Sequence, residues 1–161
     1  MPAMTSERIK GINVSSELVL VNIVDRADLY AAVLPLLRAI KANQINSPFV
    51  STRTAEPESV TVSACFAKDD MPMVQKLIRQ DDRLAAGTDI VSGVGLMTVY
   101  PHHSQLHIVG AALSALRDAG LPIYGMSSSI SSLIFVLRYS QLPAAVAAVT
   151  DRFSLLEQGG H

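Results

Sequence analysis

The sequence predicts an α+β fold made of two similar units in tandem, each with the element order βαββαβ. Residues 60–67 alternate apolar and polar side chains, which is typical of a strand with one buried face. Val109, Ala112 and Leu116 are spaced by three and four, which is typical of a helix with one apolar face. The series of strands and helices ends near Ser92 and begins again at Gly93, so the chain contains an internal repeat.

The first predicted unit comprises residues 12–92. Residues 18–24 are predicted to form a strand, because six of the seven are apolar and four are β-branched. The apolar spacing of residues 29–40 predicts a helix, and Pro35 indicates that this helix begins late, near Ala31, or bends. Two further strands are predicted at residues 47–54 and 60–67. A second helix follows around Pro72, and residues 88–92 form the final strand. The residues before this unit are interpreted as a lead-in, with an edge strand at residues 9–14 as the alternative.

The second predicted unit comprises residues 93–158. Its helix ends at Gly120, because Pro122 cannot continue the hydrogen-bond ladder. Strands are predicted at residues 94–100, around Ile123 and at residues 133–137, and serines separate the last two. Residues 101–106 are predicted to form a loop, and residues 142–156 the closing helix. An obvious final strand is missing. The predicted architecture is therefore two ferredoxin-like βαββαβ units, each an antiparallel sheet with its helices on one face.

Composition excludes several classes of function. The 161 residues are 49% hydrophobic, enough to bury a core, and 13 Lys and Arg balance 14 Asp and Glu without a basic run, which argues against nucleic-acid binding. The single cysteine, Cys65, lies in an apolar strand and is interpreted as a buried, inert thiol. The first residues lack the apolar segment of a signal peptide, which predicts a cytoplasmic protein. Residues 119–137 are uncharged but contain Pro122 and five serines, which argues against a membrane-spanning helix.

Charge is unevenly distributed along the chain. Only six Lys, Arg, Asp and Glu residues occur among residues 90–161, against 21 among residues 1–89. The two predicted helices of the second half carry small residues away from their core faces, namely Gly110, Ala111, Ser114, Ala144, Ala147 and Ala148. This pattern predicts a partner packed against the second half, most simply a second copy of the chain in a homodimer. An ordinary alanine-rich surface is the alternative.

Catalytic motifs are not evident. Gly93 and Gly95 lack the third glycine and the helix of a dinucleotide fingerprint, so they are interpreted as a hinge between the repeats. Neither a nucleophile elbow nor a phosphate loop occurs, so the sequence indicates neither an enzyme nor a cofactor. Three imidazoles within six residues, those of His102, His103 and His107, leave a divalent-metal site as a minor alternative.

The second half resembles a known regulatory unit. Residues 107–155 resemble, without a gap, the last ACT domain of the aspartate kinases, in which a helix leads to a strand, a serine-containing bend and a second strand. The bend here is Met126, Ser127, Ser128, Ser129, Ile130, and the family's Arg, Leu, Phe and Leu positions are occupied by Arg138, Leu142, Phe153 and Leu155. The first unit resembles the preceding ACT unit through residues 20–24, Asp28 and residues 44–46. Nothing before residue 12 has room for the family's kinase domain.

The resemblance implies a site for a small amino acid. In ACT domains the loop after the first strand holds the ligand, and a strand of a second unit closes over it. The corresponding loop positions in this sequence are Asp25, Arg26, Ala27, Asp28, His102, His103, Ser104, Gln105 and Leu106, and the strand-side candidates are Asn46, Ser47, Phe49, Ile123, Tyr124 and Met126.

The resulting hypothesis is a non-catalytic regulatory protein. It would bind an amino acid effector between ACT units and transmit the binding allosterically to a partner enzyme of amino-acid metabolism. The first alternative is a ligand-free structural module for oligomerisation. The second is a metal-responsive module that uses the three histidines.

Overall fold

The structure is a computed structural model that describes residues 8–25, 29–56, 59–100 and 105–155. In chain order, its strands and helices are β1 (Arg8–Ile9), β2 (Gly11–Val14), β3 (Leu18–Asp25), α1 (Leu29–Ala42), β4 (Phe49–Glu56), β5 (Ser59–Ala67), α2 (Met71–Ile78), α3 (Asp82–Ala86), β6 (Thr88–Tyr100), α4 (Leu106–Asp118), β7 (Gly125–Ser128), β8 (Leu133–Arg138), α5 (Leu142–Arg152) and β9 (Ser154–Leu155). Short 3₁₀ turns precede α2 and α5.

The chain divides into two compact units. One is Glu17–Gly93, here called the inserted unit, and the other combines Met1–Ser16 with Val94–His161 and is called the split unit. Strand β2 therefore belongs to the split unit, whereas the sequence pattern groups residues 12–92 together.

The inserted unit has the strand order β4-β5-β3-β6, to which β6 contributes its first residues. The antiparallel register aligns Leu20 with Cys65 and Cys65 with Phe49. Because side chains alternate across a strand, every second residue of β3 and β5 faces the helices. The helix-side core consists of Val19, Val21, Ile23, Leu36, Ile40, Ile45, Ala64, Phe66, Met71, Val74, Ile78 and Leu84.

The split unit has the strand order β2-β6-β8-β7, and all three pairings are antiparallel. A βαββαβ unit places its fourth strand beside its first, and that position is taken here by β2. The final strand that the sequence analysis does not find is therefore supplied by the beginning of the chain. A Cβ atom at Gly11 would lie 2.9 Å from the Tyr100 hydroxyl, so a larger residue there would displace the end of the tyrosine side chain.

The core of the split unit lies between its sheet and α4 and α5. Phe135, Met97 and Leu133 are fully buried on the sheet, and Leu116 and Val149 are fully buried on the helices. The N-terminal segment joins this core, since Ile9 is fully buried in it and β1 pairs in parallel with β9. Burying side chains of this size stabilises a fold by about 1.5–3 kcal/mol each.

These observations confirm the predicted fold class, tandem ferredoxin-like units of antiparallel strands and helices, and they correct several element boundaries. Helix α1 begins at Leu29 and keeps Pro35 in its interior, where the proline is exposed. The predicted hinge at Gly93 lies inside the continuous strand β6, where Gly93 adopts a positive φ of 69° that favours glycine. Helix α5 ends at Arg152, not at residue 156, because the chain turns extended at Phe153. Among the described residues, no helix is both long and apolar enough to cross a bilayer.

Candidate functional site

The two loops named by the sequence analysis are described only in part. Asp25 is the last residue of β3, whereas Arg26, Ala27 and Asp28 lie outside the described residues. His102, His103 and Ser104 also lie outside them. The described part of the second loop is Gln105 and Leu106, and both are exposed, Leu106 to 83%.

The start of α4 can attract an anion. Gln105 occupies the N-cap position with an extended backbone, but its side chain makes no capping hydrogen bond. The first amides of a helix have no carbonyl partner within the helix, and the helix dipole favours negative charge at this end. A carboxylate is therefore a suitable ligand for the start of α4.

The strand-side candidates of the inserted unit are occupied by contacts within the chain. The Ser47 hydroxyl lies 2.7 Å from the Phe49 carbonyl oxygen and 2.8 Å from that of Cys65, so its single donor already has acceptors. Phe49 is 3% exposed and therefore buried. Asn46, by contrast, is exposed. Of these three residues, only Asn46 presents a free surface to a ligand.

The strand-side candidates of the split unit surround an ordered tyrosine. Tyr124 accepts a hydrogen bond of 2.7 Å from Arg138 Nη2, and the Arg138 guanidinium lies 5.9 Å from the centre of the tyrosine ring. The Tyr124 amide donates to the Val136 carbonyl, which continues the β7–β8 pairing by one residue. Ile123 and Met126 are exposed to 37% and 40%. This edge therefore presents two apolar side chains and an arginine-bound phenol.

The sheet register separates the loop candidates from the strand candidates within each unit. In the inserted unit, Phe49 is aligned through Cys65 with Leu20, near the start of β3, whereas Asp25 ends that strand. In the split unit, α4 begins beyond Tyr100 at one end of the sheet, and Arg138 lies opposite Val94 at the other. Of the loop candidates that the structure describes, Asp25 and the start of α4 therefore lie away from Phe49 and Tyr124 along their own sheets.

The remaining reactive side chains are poor candidates for chemistry. Burial raises the pKa of the Cys65 thiol to about 12, because the thiolate is desolvated, so Cys65 is protonated and unreactive at neutral pH. Within the described ranges, no group of three His, Cys, Asp or Glu side chains is arranged to hold a metal ion. His107 is exposed on α4, while the other two histidines of the metal hypothesis lie outside those ranges.

Two features of the site region were missed at the sequence level. The contact between Arg138 and Tyr124 follows from the register of β7 and β8, which the spacing of a serine-rich bend does not fix. A groove of about 560 Å³ opens beside α5, and its lining includes Val14, which is distant in sequence from the other lining residues. In the sequence, the uncharged composition of residues 139–150 was the feature that could have indicated this groove.

The fold matches solved structures of aspartate kinases over nearly the whole chain. The ligand-free regulatory subunit of aspartate kinase from Thermus thermophilus superposes with a TM-score of 0.78 and 12% identity, covering 91% of this chain and 99% of that one. The chain has the fold of an aspartate kinase regulatory subunit. The Synechocystis aspartate kinase matches with a TM-score of 0.79 and 14% identity, over 96% of this chain and 29% of the longer enzyme.

A further match extends the comparison to a liganded state of such an enzyme. E. coli aspartokinase III in complex with lysine and aspartate matches with a TM-score of 0.62 and 13% identity, over 94% of this chain and 35% of that one. No family model matches the sequence, and no relative is found among curated proteins. The likeness to aspartate kinase regulatory subunits is therefore one of fold.

Proposed function

We propose that this protein is a non-catalytic regulatory protein of the cytoplasm that binds a small amino acid and transmits the binding to an enzyme of amino-acid metabolism. The observation that carries the proposal is the match to an aspartate kinase regulatory subunit over 91% of this chain and 99% of that one. One matching enzyme is described in complex with lysine and aspartate, which supports an amino acid as the class of ligand.

The proposed site joins a loop of one unit to a strand of another. The loop positions are residues 25–28 and 102–106, and the strand positions are those around Asn46 and Tyr124. The start of α4 supplies amides for the ligand carboxylate. Because the register separates the described loop residues from the strand candidates of the same unit, the proposed source of the strand is a second copy of the chain.

The test is a thermal-shift screen of the purified protein against the twenty protein amino acids. A ligand that binds only the folded state raises its stability by RT ln(1 + [L]/Kd), about 2.7 kcal/mol at a hundredfold excess over Kd. A selective rise in Tm identifies the effector. If no amino acid raises Tm, the amino acid ligand is removed from the proposal.

A variant can locate the carboxylate contact. Gln105→Asp places a carboxylate at the N-cap of α4, where it satisfies the free amides and stabilises the helix by about 1 kcal/mol. We expect this variant to have a higher Tm without ligand and to lose most of the ligand response. Gln141→Asp is the matched control, since it places the same charge at the start of α5 and leaves α4 unchanged. An unchanged response in Gln105→Asp would place the ligand elsewhere.

A ligand-free structural module for oligomerisation is the second candidate. It is favoured by the strand-side residues of the inserted unit, because Phe49 is buried and the Ser47 hydroxyl is already hydrogen-bonded. A stable oligomer with no response to any amino acid is the result that this candidate predicts.

A further inference from the structure

A pocket of about 390 Å³ opens in the split unit beside the second half of α4. This volume lies within the range of about 300–1,000 Å³ that is usual for small-molecule sites. The pocket is formed by α4 and by the chain that follows this helix, and its lining residues are Leu113, Ser114, Arg117, Leu121 and Ile123. All five belong to one short segment of one unit, so the pocket is formed within a single chain.

The end of α4 brings the two parts of this lining together. Gly120 has a positive φ of 67°, and its amide donates to the Arg117 carbonyl at 2.9 Å. The Leu121 amide donates to the Leu116 carbonyl at 3.0 Å. These two bonds form a Schellman motif, which ends a helix at a glycine. The chain therefore leaves the helix at Gly120, and Leu121 and Ile123 line the pocket together with α4.

The guanidinium of Arg117 is oriented by its neighbours. Its Nε and Nη2 atoms lie 3.0 and 2.8 Å from Asp118 Oδ1. The other oxygen of this carboxylate lies 3.1 Å from Arg152 Nη2, so Asp118 is itself held from the second side. Within the described ranges, Arg117 Nη1 has no hydrogen-bond partner. This nitrogen can therefore donate to a ligand in the pocket.

The charge beside the pocket favours an anion. Two guanidinium groups contact one carboxylate, that of Asp118, which leaves a positive charge in excess. None of the five lining residues is acidic, and Asp151, the next acidic residue along α5, does not line the pocket. A guanidinium binds a carboxylate through charge-assisted hydrogen bonds, whereas it repels an ammonium group.

The rest of the pocket favours a short apolar chain. Leu113 and Leu121 are half-buried against the core of the split unit, and Ile123 is 37% exposed. An aliphatic group that covers these three side chains removes apolar surface from water, which favours binding. A charged group placed against them would lose hydration without gaining a partner. The pocket therefore combines a donor for one carboxylate with an apolar wall.

We propose that this pocket binds a small aliphatic carboxylate, with the carboxylate on Arg117 and the apolar chain on Leu113, Leu121 and Ile123. Asp118 is a positioning residue, because it orients the guanidinium. Leucine has this chemistry, and so does isocaproate, which is leucine without its amino group. The pocket lies at the opposite end of α4 from the amides of the proposed effector site, so the inference does not depend on the proposed function.

The test is a titration of the isotope-labelled full chain, followed by NMR through its amide resonances. We expect leucine and isocaproate to shift the amides of Ser114, Arg117 and Ile123, with a dissociation constant of about 1–10 mM for ligands of this size. Leucinamide, which lacks the carboxylate, and lysine, which carries a second ammonium group, should leave these amides unchanged. Binding of leucine alone supports an amino acid as the occupant, and equal binding of isocaproate supports aliphatic carboxylates as a class.

Two results of this titration would overturn the pocket. One is the absence of shifts at these amides up to about 20 mM leucine and isocaproate, beyond the millimolar range of weak specific binding. The other is equal binding of leucine and either leucinamide or lysine, since the site would then not recognise a carboxylate with an apolar chain.

A pair of arginine variants separates the ligand contact from the structure of the helix ends. Arg117→Gln removes the guanidinium from the pocket, whereas Arg152→Gln removes the other arginine bound to Asp118 and leaves the lining unchanged. Both side chains are substantially exposed, 76% and 43%, so both variants should fold. The dissociation constant for leucine should rise about tenfold or more in Arg117→Gln, because a charge-assisted hydrogen bond is lost. It should rise less than about twofold in Arg152→Gln, whose charge is screened by solvent. Equal affinities of Arg117→Gln and the wild type would overturn the assignment.

The Gln105→Asp variant distinguishes this pocket from the proposed effector site. It changes the start of α4 and should keep the leucine shifts at Ser114, Arg117 and Ile123. Their loss in this variant would place the ligand at the start of α4, which overturns the pocket and leaves the proposed function standing. A rise in Tm with leucine that disappears in Arg117→Gln but not in Gln105→Asp supports the pocket.

Discussion

Arg152 Nη2 lies 3.1 Å from Asp118 Oδ2, and this contact ties the last residue of α5 to the last residue of α4. The same carboxylate receives Arg117 Nη2 at 2.8 Å. The hydrogen bond from Arg117, with a smaller contribution from Arg152, lowers the pKa of Asp118 below its ordinary value. Two guanidinium groups at a helix C-terminus also lie where the helix dipole favours positive charge.

Replacing Asp118 is expected to give a small, pH-dependent loss of stability. A carboxylate whose pKa is lower in the folded state stabilises the fold above its ordinary pKa, and this contribution disappears as the pH falls through the lowered value. Asp118→Asn should therefore have a lower urea midpoint than the wild type at pH 7, and the two proteins should converge in acid. Asp151→Asn, an exposed change on α5 next to Arg152, is the control. A difference that grows in acid would contradict this account.

Gly95 is expected to tolerate no side chain. A Cβ atom at this position would lie 2.7 Å from Leu142 Cδ1 and 3.0 Å from Tyr139 Cδ2, and Leu142 is 3% exposed. Overpacking of this kind costs about 1–3 kcal/mol. Gly95→Ala should lower the unfolding free energy by that amount in equilibrium denaturation.

Gly110, unlike Gly95, is expected to accept a side chain. It lies within α4, and a Cβ atom there would meet nothing within 4 Å. Replacing glycine by alanine in an unobstructed helix stabilises a protein by about 0.5–1 kcal/mol. Gly110→Ala should therefore raise Tm. A lower Tm would indicate that another molecule packs against this part of α4.

Ile9 is expected to be a core residue despite its place near the N-terminus. It is fully buried among the residues of the split unit, and β1 and β2 on either side of it pair with β9 and β6. Ile9→Ala should cost about 2–5 kcal/mol, as for other large buried aliphatic residues. Lys10→Ala, at the exposed neighbour, should change the unfolding free energy by less than about 0.5 kcal/mol. If Ile9→Ala and Lys10→Ala changed the unfolding free energy equally, the pairing of β1 with β9 and of β2 with β6 would be contradicted.

The periodicity of the chain was sufficient to predict the fold class but not the role of the first residues. Three-and-four spacing in α4 reports burial of one helix face, and local pattern records that property directly. In β5, alternation identified the helix-side residues Ala64 and Phe66 but not the burial of Cys65 on the opposite face. Strand β2 is only four residues long, and its pairing with Met97 and the three residues after it joins positions more than 80 apart in sequence. Local pattern contains no information about such a pairing.

The candidate site was predictable only as a set of positions. Ser47 lies just before β4 and Phe49 begins it, and the hydrogen bonds of the Ser47 hydroxyl depend on the register between β4 and β5. Likewise, the hydrogen bond of Tyr124 depends on where β7 begins, and it begins at Gly125, two residues beyond Ile123. Side-chain partners of this kind follow from register, which a single sequence leaves open.

Cys65 is expected to react only after unfolding. Its thiol is fully buried, and its pKa of about 12 leaves almost no thiolate at neutral pH. Ellman's reagent at pH 8 should therefore label the native protein at a rate set by opening of the fold, and the denatured protein at once. Adding denaturant below the unfolding transition should accelerate labelling. Rapid labelling of the native protein would show that this side of the sheet opens readily.

Tyr124 is expected to affect ligand binding more than stability. Tyr124→Phe removes the acceptor of the Arg138 hydrogen bond, and because this pair is exposed the unfolding free energy should change by less than about 0.5 kcal/mol. At the proposed site, the freed guanidinium no longer holds the ring in one orientation. Loss of one such hydrogen bond costs about 0.5–1.5 kcal/mol. The affinity for the amino acid identified by the thermal screen, measured by calorimetric titration, should therefore fall roughly two- to tenfold. Tyr139→Phe, which removes a hydroxyl from a tyrosine that is 40% exposed in the same unit, should leave that affinity unchanged. Equal affinities for the Tyr124 variant and the wild type would remove this strand edge from the site.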